Sequence, residues 1–170
     1  MIEVADSPPP APSIVVPAYR RADCVEALAA AVRAAFSTTA WSYELILVND
    51  GSTEATWSVI EKLCRTDPKV VGIDLRNNFG QDNAILTGLR VVWGRFVAVM
   101  DDDLRHDPAD LPTLLSRREQ QRPDGGPPDV VCADFRSKRQ AAWKNPGSWF
   151  NGKVAEYVLN KPKGLYLSPH

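Results

Sequence analysis

An α/β fold with a mostly parallel sheet and helices on both faces is what this 170-residue sequence predicts. Short runs rich in Val, Ile and Leu alternate with longer amphipathic stretches, the pattern of strands that cross over through helices. The runs are almost continuously apolar, as strands covered on both faces are. Finally, 44% hydrophobic residues against 24% charged ones supply a core for one domain rather than two.

Taken in order, residues 1–12 hold Pro8, Pro9, Pro10 and Pro12 and read as a flexible leader, because proline donates no ladder hydrogen bond. The folded core is expected over 13–136. Strands are read at 13–17, 43–48, 69–75, 95–100 and 129–135, each dominated by β-branched or aliphatic residues. Helices are read at 23–36, 53–65, 81–93 and 108–120, the last with Asp107 as cap and Pro108 in its first turn. Residues 122–128 contain Pro123, Gly125, Gly126, Pro127 and Pro128 and form a surface loop. No internal repeat is present.

Twenty basic side chains against 21 acidic ones leave a net charge of −1, which argues against a nucleic-acid coat. No run approaches the roughly 18 apolar residues of a membrane span, and the acidic, Pro-rich start is unlike a signal peptide. The cysteines, Cys24, Cys64 and Cys132, are far apart and lack zinc-site spacing, so they read as reduced packing residues of a cytoplasmic protein. The segment 137–170 differs in character. With Arg136 it carries Lys138, Arg139, Lys144, Lys153, Lys161 and Lys163 against Glu156, interleaved with Trp143, Trp149, Phe150, Tyr157 and Tyr166. Two readings stand: a surface for phosphate groups or lipid headgroups at the cytoplasmic face of a membrane, or a solvated helix with core aromatics.

The strongest chemical signal is Val99-Met100-Asp101-Asp102-Asp103-Leu104, an apolar strand running into three carboxylates. Extended-chain alternation puts Asp101 and Asp103 on one side and Asp102 on the other. Carboxylates just past the carboxyl end of a parallel strand sit where open α/β sheets bind ligands. Such close like charges repel unless they share a cation, and hard oxygen ligands select Mg²⁺ or Mn²⁺. The plain alternative is a turn of solvated acids. A second acid, in Asn49-Asp50-Gly51-Ser52-Thr53, follows another strand and could accept from a nucleobase or ribose. Its plain alternative is an Asp-Gly turn with Ser52 or Thr53 capping the next helix.

Four motifs then occur in one order: Ser13-Ile14-Val15-Val16-Pro17-Ala18-Tyr19; Leu47-Val48-Asn49-Asp50-Gly51-Ser52-Thr53; Asn78-Phe79-Gly80-Gln81 with Ala84-Ile85-Leu86; and Met100-Asp101-Asp102-Asp103-Leu104 with Asp107-Pro108 and Leu111-Pro112. In this the chain resembles family 2 glycosyltransferases, and within them the polyprenyl-phosphate branch that includes dolichol-phosphate mannose synthase. The resemblance implies the GT-A fold of nucleotide-diphospho-sugar transferases, with a Rossmann-like sheet. It also implies transfer of a sugar, with inversion, from a UDP- or GDP-type donor to an undecaprenyl or dolichyl phosphate in cell-envelope glycan synthesis.

By the same resemblance, Pro17, Tyr19, Asp50, Gly80 and Gln81 bind the donor together with Asp101 and Asp102, and Asp101 and Asp103 hold Mg²⁺ or Mn²⁺. Asp103 and Arg136 are the implied catalytic residues, Arg136 lying near the phosphates. The chain departs from the pattern at Arg20-Arg21, where relatives have Asn-Glu, at Asn77, where Arg is frequent, and at Arg105, where a Gln is common. Arg105 cannot ligate a cation. The acceptor side is expected to be incomplete, which leaves a nucleotide-sugar-binding module completed by a homo-oligomer or partner chain as the alternative. A nucleotidyltransferase is disfavoured, since no Gly-rich phosphate loop follows the first strand.

Overall fold

The computed structural model describes residues 12–120, 125–126 and 129–132, all within one unit, Met1–Cys132. Its elements are β1 (Pro12–Ala18), α1 (Ala22–Phe36), β2 (Glu44–Asn49), α2 (Thr56–Thr66), β3 (Val70–Asp74), α3 (Gln81–Leu89), β4 (Phe96–Val99), a 3-10 turn (Pro108–Asp110) and α4 (Leu111–Glu119). The strands pair in the order β3-β2-β1-β4, every pairing parallel. The chain winds outward from β1 to β3, then returns past β1 to lay down β4. That reversal opens a crevice at the carboxyl ends of β1 and β4, the usual ligand position in such sheets.

Alternation explains why β1 and β2 are buried along their whole length. Ile14, Val16, Leu45 and Leu47 face Val25, Leu28, Val32 and Phe36 of α1, Ile60 and Leu63 of α2, and Leu111 and Leu115 of α4. Val15, Ile46 and Val48 face the opposite way, onto Ala84 of α3. Helix α3 comes this close because residue 88 is glycine: a Cβ there would lie 2.5 Å from Val15 Cγ1 and 3.2 Å from Val48 Cγ2.

Several expectations are corrected. Helix α3 stops at Leu89 instead of continuing to 93, because the following loop is captured at the amino ends of β1 and β2. There the Trp93 N–H donates to Glu44 Oε1 at 2.8 Å and the Gly94 N–H to Ser13 Oγ at 2.9 Å. Ser13 Oγ itself donates to Glu44 Oε1 at 2.5 Å, so the buried carboxylate gathers three segments of chain. Pro12, assigned to the leader, opens β1 opposite Phe96, a strand's first position being one where a missing N–H is tolerated. Residues 129–132 carry no strand, and Val130 is 72% exposed; the rest of that expected strand, 133–135, lies outside the described residues. The last helix is split: the Asp107 carboxylate accepts from the Ala109 N–H at 2.9 Å and caps the 3-10 turn that precedes α4. Cys132 is exposed and so is no packing residue, while Cys24 and Cys64 are partly buried free thiols.

Gly88→Val should therefore destabilise the fold by about 1–3 kcal/mol, the usual cost of overpacking a tight contact. Urea unfolding measures it, and an unchanged midpoint would mean that α3 is not seated on β1 and β2 as described.

Candidate functional site

Three loops meet at the carboxyl ends of the strands, and Asp50 joins two of them. It directly follows β2 and is only 3% exposed. Its N–H donates to the Ala18 carbonyl at 2.9 Å. Its carboxylate then accepts the Phe79 N–H on Oδ1 at 2.7 Å and the Gly80 N–H on Oδ2 at 2.9 Å. Hydrogen bonds to a charged acceptor are among the stronger ones in proteins. The adjacent Gly51 lets the segments close: its φ is +64°, and a Cβ would fall 2.3 Å from the backbone carbon of Asn77. No L side chain with a Cβ fits there without moving the 77–80 loop.

The β1–α1 loop is tied to the same turn. Asn49 donates from Nδ2 to Asp74 Oδ1 at 2.6 Å and accepts the Ser52 N–H at 3.3 Å. Ser52 Oγ in turn accepts the Arg20 N–H at 3.0 Å, and Thr56 Oγ1 accepts the Arg21 N–H at 3.0 Å while donating to Glu54. Arg20 has a φ of +56°, and its guanidinium lies 5.2 Å from the Tyr19 ring centroid. Ser52 and Thr53 were candidates for a helix cap. Instead α2 begins at Thr56 without a side-chain cap, and Ser52 serves the neighbouring loop.

The acid run departs from the expected alternation, because β4 ends at Val99 and residues 102–103 form a turn. Each carboxylate has a different partner. Asp101 Oδ1 accepts from Gln81 Nε2 at 3.1 Å, joining β4 to the start of α3. Asp102 lies 3.5 Å from Arg21 Nε. Burial raises its carboxyl above the usual carboxylate range; Asp103 and Asp101 push the same way, against Arg21 and the Tyr19 N–H. Asp103 accepts the Arg105 N–H on Oδ1 at 3.0 Å and faces Arg105 Nε from Oδ2 at 3.1 Å. Leu104, between them, has a φ of +55°.

The structure thus brings Tyr19, Asp50, Gly80, Gln81, Asp101, Asp102 and Asp103 to one end of the sheet, with Pro17 buried in β1 opposite Val48. Arg136 lies outside the described residues. Sequence reasoning missed the Phe79 and Gly80 amides, the Ser52 and Thr56 hydroxyls and the Arg21 contact. Only the last had a visible signal, an Arg pair beside a motif residue. Among the described residues no group of three or more His, Cys, Asp or Glu side chains could hold a metal ion. Two carboxylates, with diphosphate oxygens and water completing the shell, is the way Mg²⁺ and Mn²⁺ sites beside phosphates are commonly built, and the donors here fit that. No helix among the described residues is long and apolar enough to cross a membrane.

The family model described as glycosyl transferase family 2 matches residues 13–164. The chain belongs to that family. Among its family 2 relatives, a dodecaprenyl-phosphate galacturonate synthase of Rhizobium johnstonii is 38% identical over 91% of this chain and 44% of its own length. An undecaprenyl-phosphate 4-deoxy-4-formamido-L-arabinose transferase of Aeromonas hydrophila is 33% identical over 93% of this chain and 46% of its own. The chain therefore spans less than half the length of these curated relatives. Among solved structures, a mannosyltransferase from Pyrobaculum calidifontis, in complex with GDP-Man and Mn²⁺, matches with a TM-score of 0.49 and 23% identity over 55% of this chain and 28% of that one. The expected α/β class stands on the parallel sheet, and the GT-A assignment rests on family membership.

Asp50→Asn should release one of the two loop amides, since an amide side chain offers only one acceptor oxygen. Losing that bond costs about 1–3 kcal/mol, and hydrogen exchange at Phe79 and Gly80 should quicken. Unchanged exchange at both would show that Asp50 does not hold the loop.

Proposed function

We propose that this chain is the donor-binding part of a glycosyltransferase that moves a sugar, with inversion, from a UDP- or GDP-type donor to a polyprenyl phosphate. The observation that carries the reading is the convergence of the Asp50 turn, the Gln81 helix start and the Asp101–Asp103 run on one crevice of a family 2 domain. In this reading Pro17, Tyr19, Asp50, Gly80 and Gln81 form the nucleotide side, with Asp102 positioning the Tyr19 loop. Asp101 and Asp103 face the diphosphate and hold Mg²⁺ or Mn²⁺, which when bound supplies Lewis-acid stabilisation of the leaving diphosphate. Arg136 adds positive charge to the same leaving group. Charge develops there as the anomeric C–O bond breaks, so groups placed to meet it lower the barrier.

The acceptor class is supported by the relatives' names and by acceptor chemistry. A phosphate oxygen is already ionised at neutral pH and attacks without a general base, unlike a sugar hydroxyl. Attack opposite the departing diphosphate inverts the anomeric centre. The basic, aromatic segment 137–170 suits a lipid headgroup layer at the cytoplasmic face. A second reading, nucleotide-sugar binding without turnover, is favoured by one observation: the guanidinium of Arg105 sits against Asp103.

Calorimetric titration with UDP and GDP in Mn²⁺, repeated in EDTA, tests the site. Asp103→Ala should weaken metal-dependent nucleotide binding by at least about tenfold, since even the outer-shell partners of metal ligands are worth about ten- to a hundredfold. Unchanged affinity would remove Asp103 from the metal shell. Release of nucleoside diphosphate from UDP- and GDP-sugars in the presence of undecaprenyl phosphate separates the transferase from the silent binder.

A further inference from the structure

Arg105 holds Asp103 at two points at once. The Arg105 N–H donates to Oδ1 at 3.0 Å, and Nε of the same residue lies 3.1 Å from Oδ2. The left-handed backbone at Leu104, with φ +55°, folds residue 105 back onto residue 103. Such a conformation is uncommon for leucine and persists only when its surroundings enforce it. Asp103 is thus clasped on both oxygens by one neighbour, whereas Asp101 meets the uncharged Gln81 amide and Asp102 a more distant Arg21 at 3.5 Å. The clasp is asymmetric in exposure. The Arg105 side chain is 74% exposed and Asp103 21%, so the guanidinium can swing into solvent while the carboxylate stays in place.

We propose that Arg105 is a displaceable internal counter-ion, a positioning residue that neutralises Asp103 before the divalent ion arrives and competes with it for the same carboxylate. The inference rests on the reading of Asp103 as a metal ligand and adds the device that sets its affinity. Two like charges cannot share one carboxylate at close range without mutual repulsion, which grows as separation falls. Release of Oδ2 by Arg105 therefore favours ligation by Asp103. Once released, its guanidinium keeps its charge and remains within a side chain's reach of a diphosphate that the same event brings in. Metal and nucleotide would then bind more tightly together than either does alone. Because the Arg105 side chain is largely exposed, its charge is screened and the competition is modest.

The test is a Mn²⁺ titration of the full chain, followed by the paramagnetic resonance signal of the free aqua ion, alone and with UDP or GDP. Arg105→Gln should bind Mn²⁺ about two- to tenfold more tightly than the wild type, the range expected for freeing a carboxylate from an exposed guanidinium. Arg105→Lys, which keeps the charge, should stay within about twofold of the wild type. Asp103→Asn should weaken binding in either background. If Arg105→Gln binds no more tightly than the wild type while Asp103→Asn weakens binding, the counter-ion role is overturned and the metal site stands. If Arg105→Lys binds as tightly as Arg105→Gln, charge is not the agent and the proposal fails. If none of the proteins binds Mn²⁺, even with nucleotide, both the metal reading and the proposal fall.

Discussion

A single carboxylate, that of Asp50, spans the gap between the turn after β2 and the loop before α3, and the geometry of the crevice depends on it. Buried charge is costly unless hydrogen-bonded, and both oxygens here receive backbone amides, from Phe79 and Gly80. Backbone donors are fixed by the chain itself, so this bridge sets the distance between two loops as well as supplying energy. Gly51 allows the closeness that the bridge enforces, since its missing Cβ is where the Asn77 backbone passes. Gln81 begins α3 directly after this loop and reaches Asp101, so the acid run that follows β4 is linked back to the end of β2 through the Asp50 amide bonds and the Gln81 hydrogen bond.

Around that bridge the three acids differ in environment although they are adjacent in sequence. Asp102 turns toward Arg21 and the β1–α1 loop and is partly desolvated. Asp101 meets an amide and Asp103 a guanidinium. Adjacent acids thus sit in three different surroundings, Asp102 against the β1–α1 loop and its two neighbours against Gln81 and Arg105.

The fold was legible where chemistry repeats along the chain. The continuous apolar runs marked β1 and β2, because burial on both sheet faces leaves a strong pattern in Val, Ile and Leu, whereas the outer strands β3 and β4 are apolar yet partly exposed. Element ends were less legible. The early stop of α3 depends on Glu44, almost fifty positions away in sequence, accepting the Trp93 amide, and no local pattern encodes a long-range contact of that kind. Position in the site was legible for Asp50 and Asp101 to Asp103, which lie at strand ends. Partnership was not, because it is made largely by backbone amides, which carry no residue signature, and because the turn at Asp102 and Asp103 breaks the alternation of an extended chain.

The Ser13–Glu44 cluster lies at the opposite end of the sheet from the crevice, closing β1, β2 and the segment before β4 at their amino ends. The sheet is fastened at one end by the buried side chains of Ser13 and Glu44 and left at the other to loops of Asp, Asn, Ser, Arg and Gly. The two ends are separable in consequence. Residues at the crevice are free to vary while the register of the strands is kept elsewhere, so change at one end of the sheet need not reopen the question of how the chain folds.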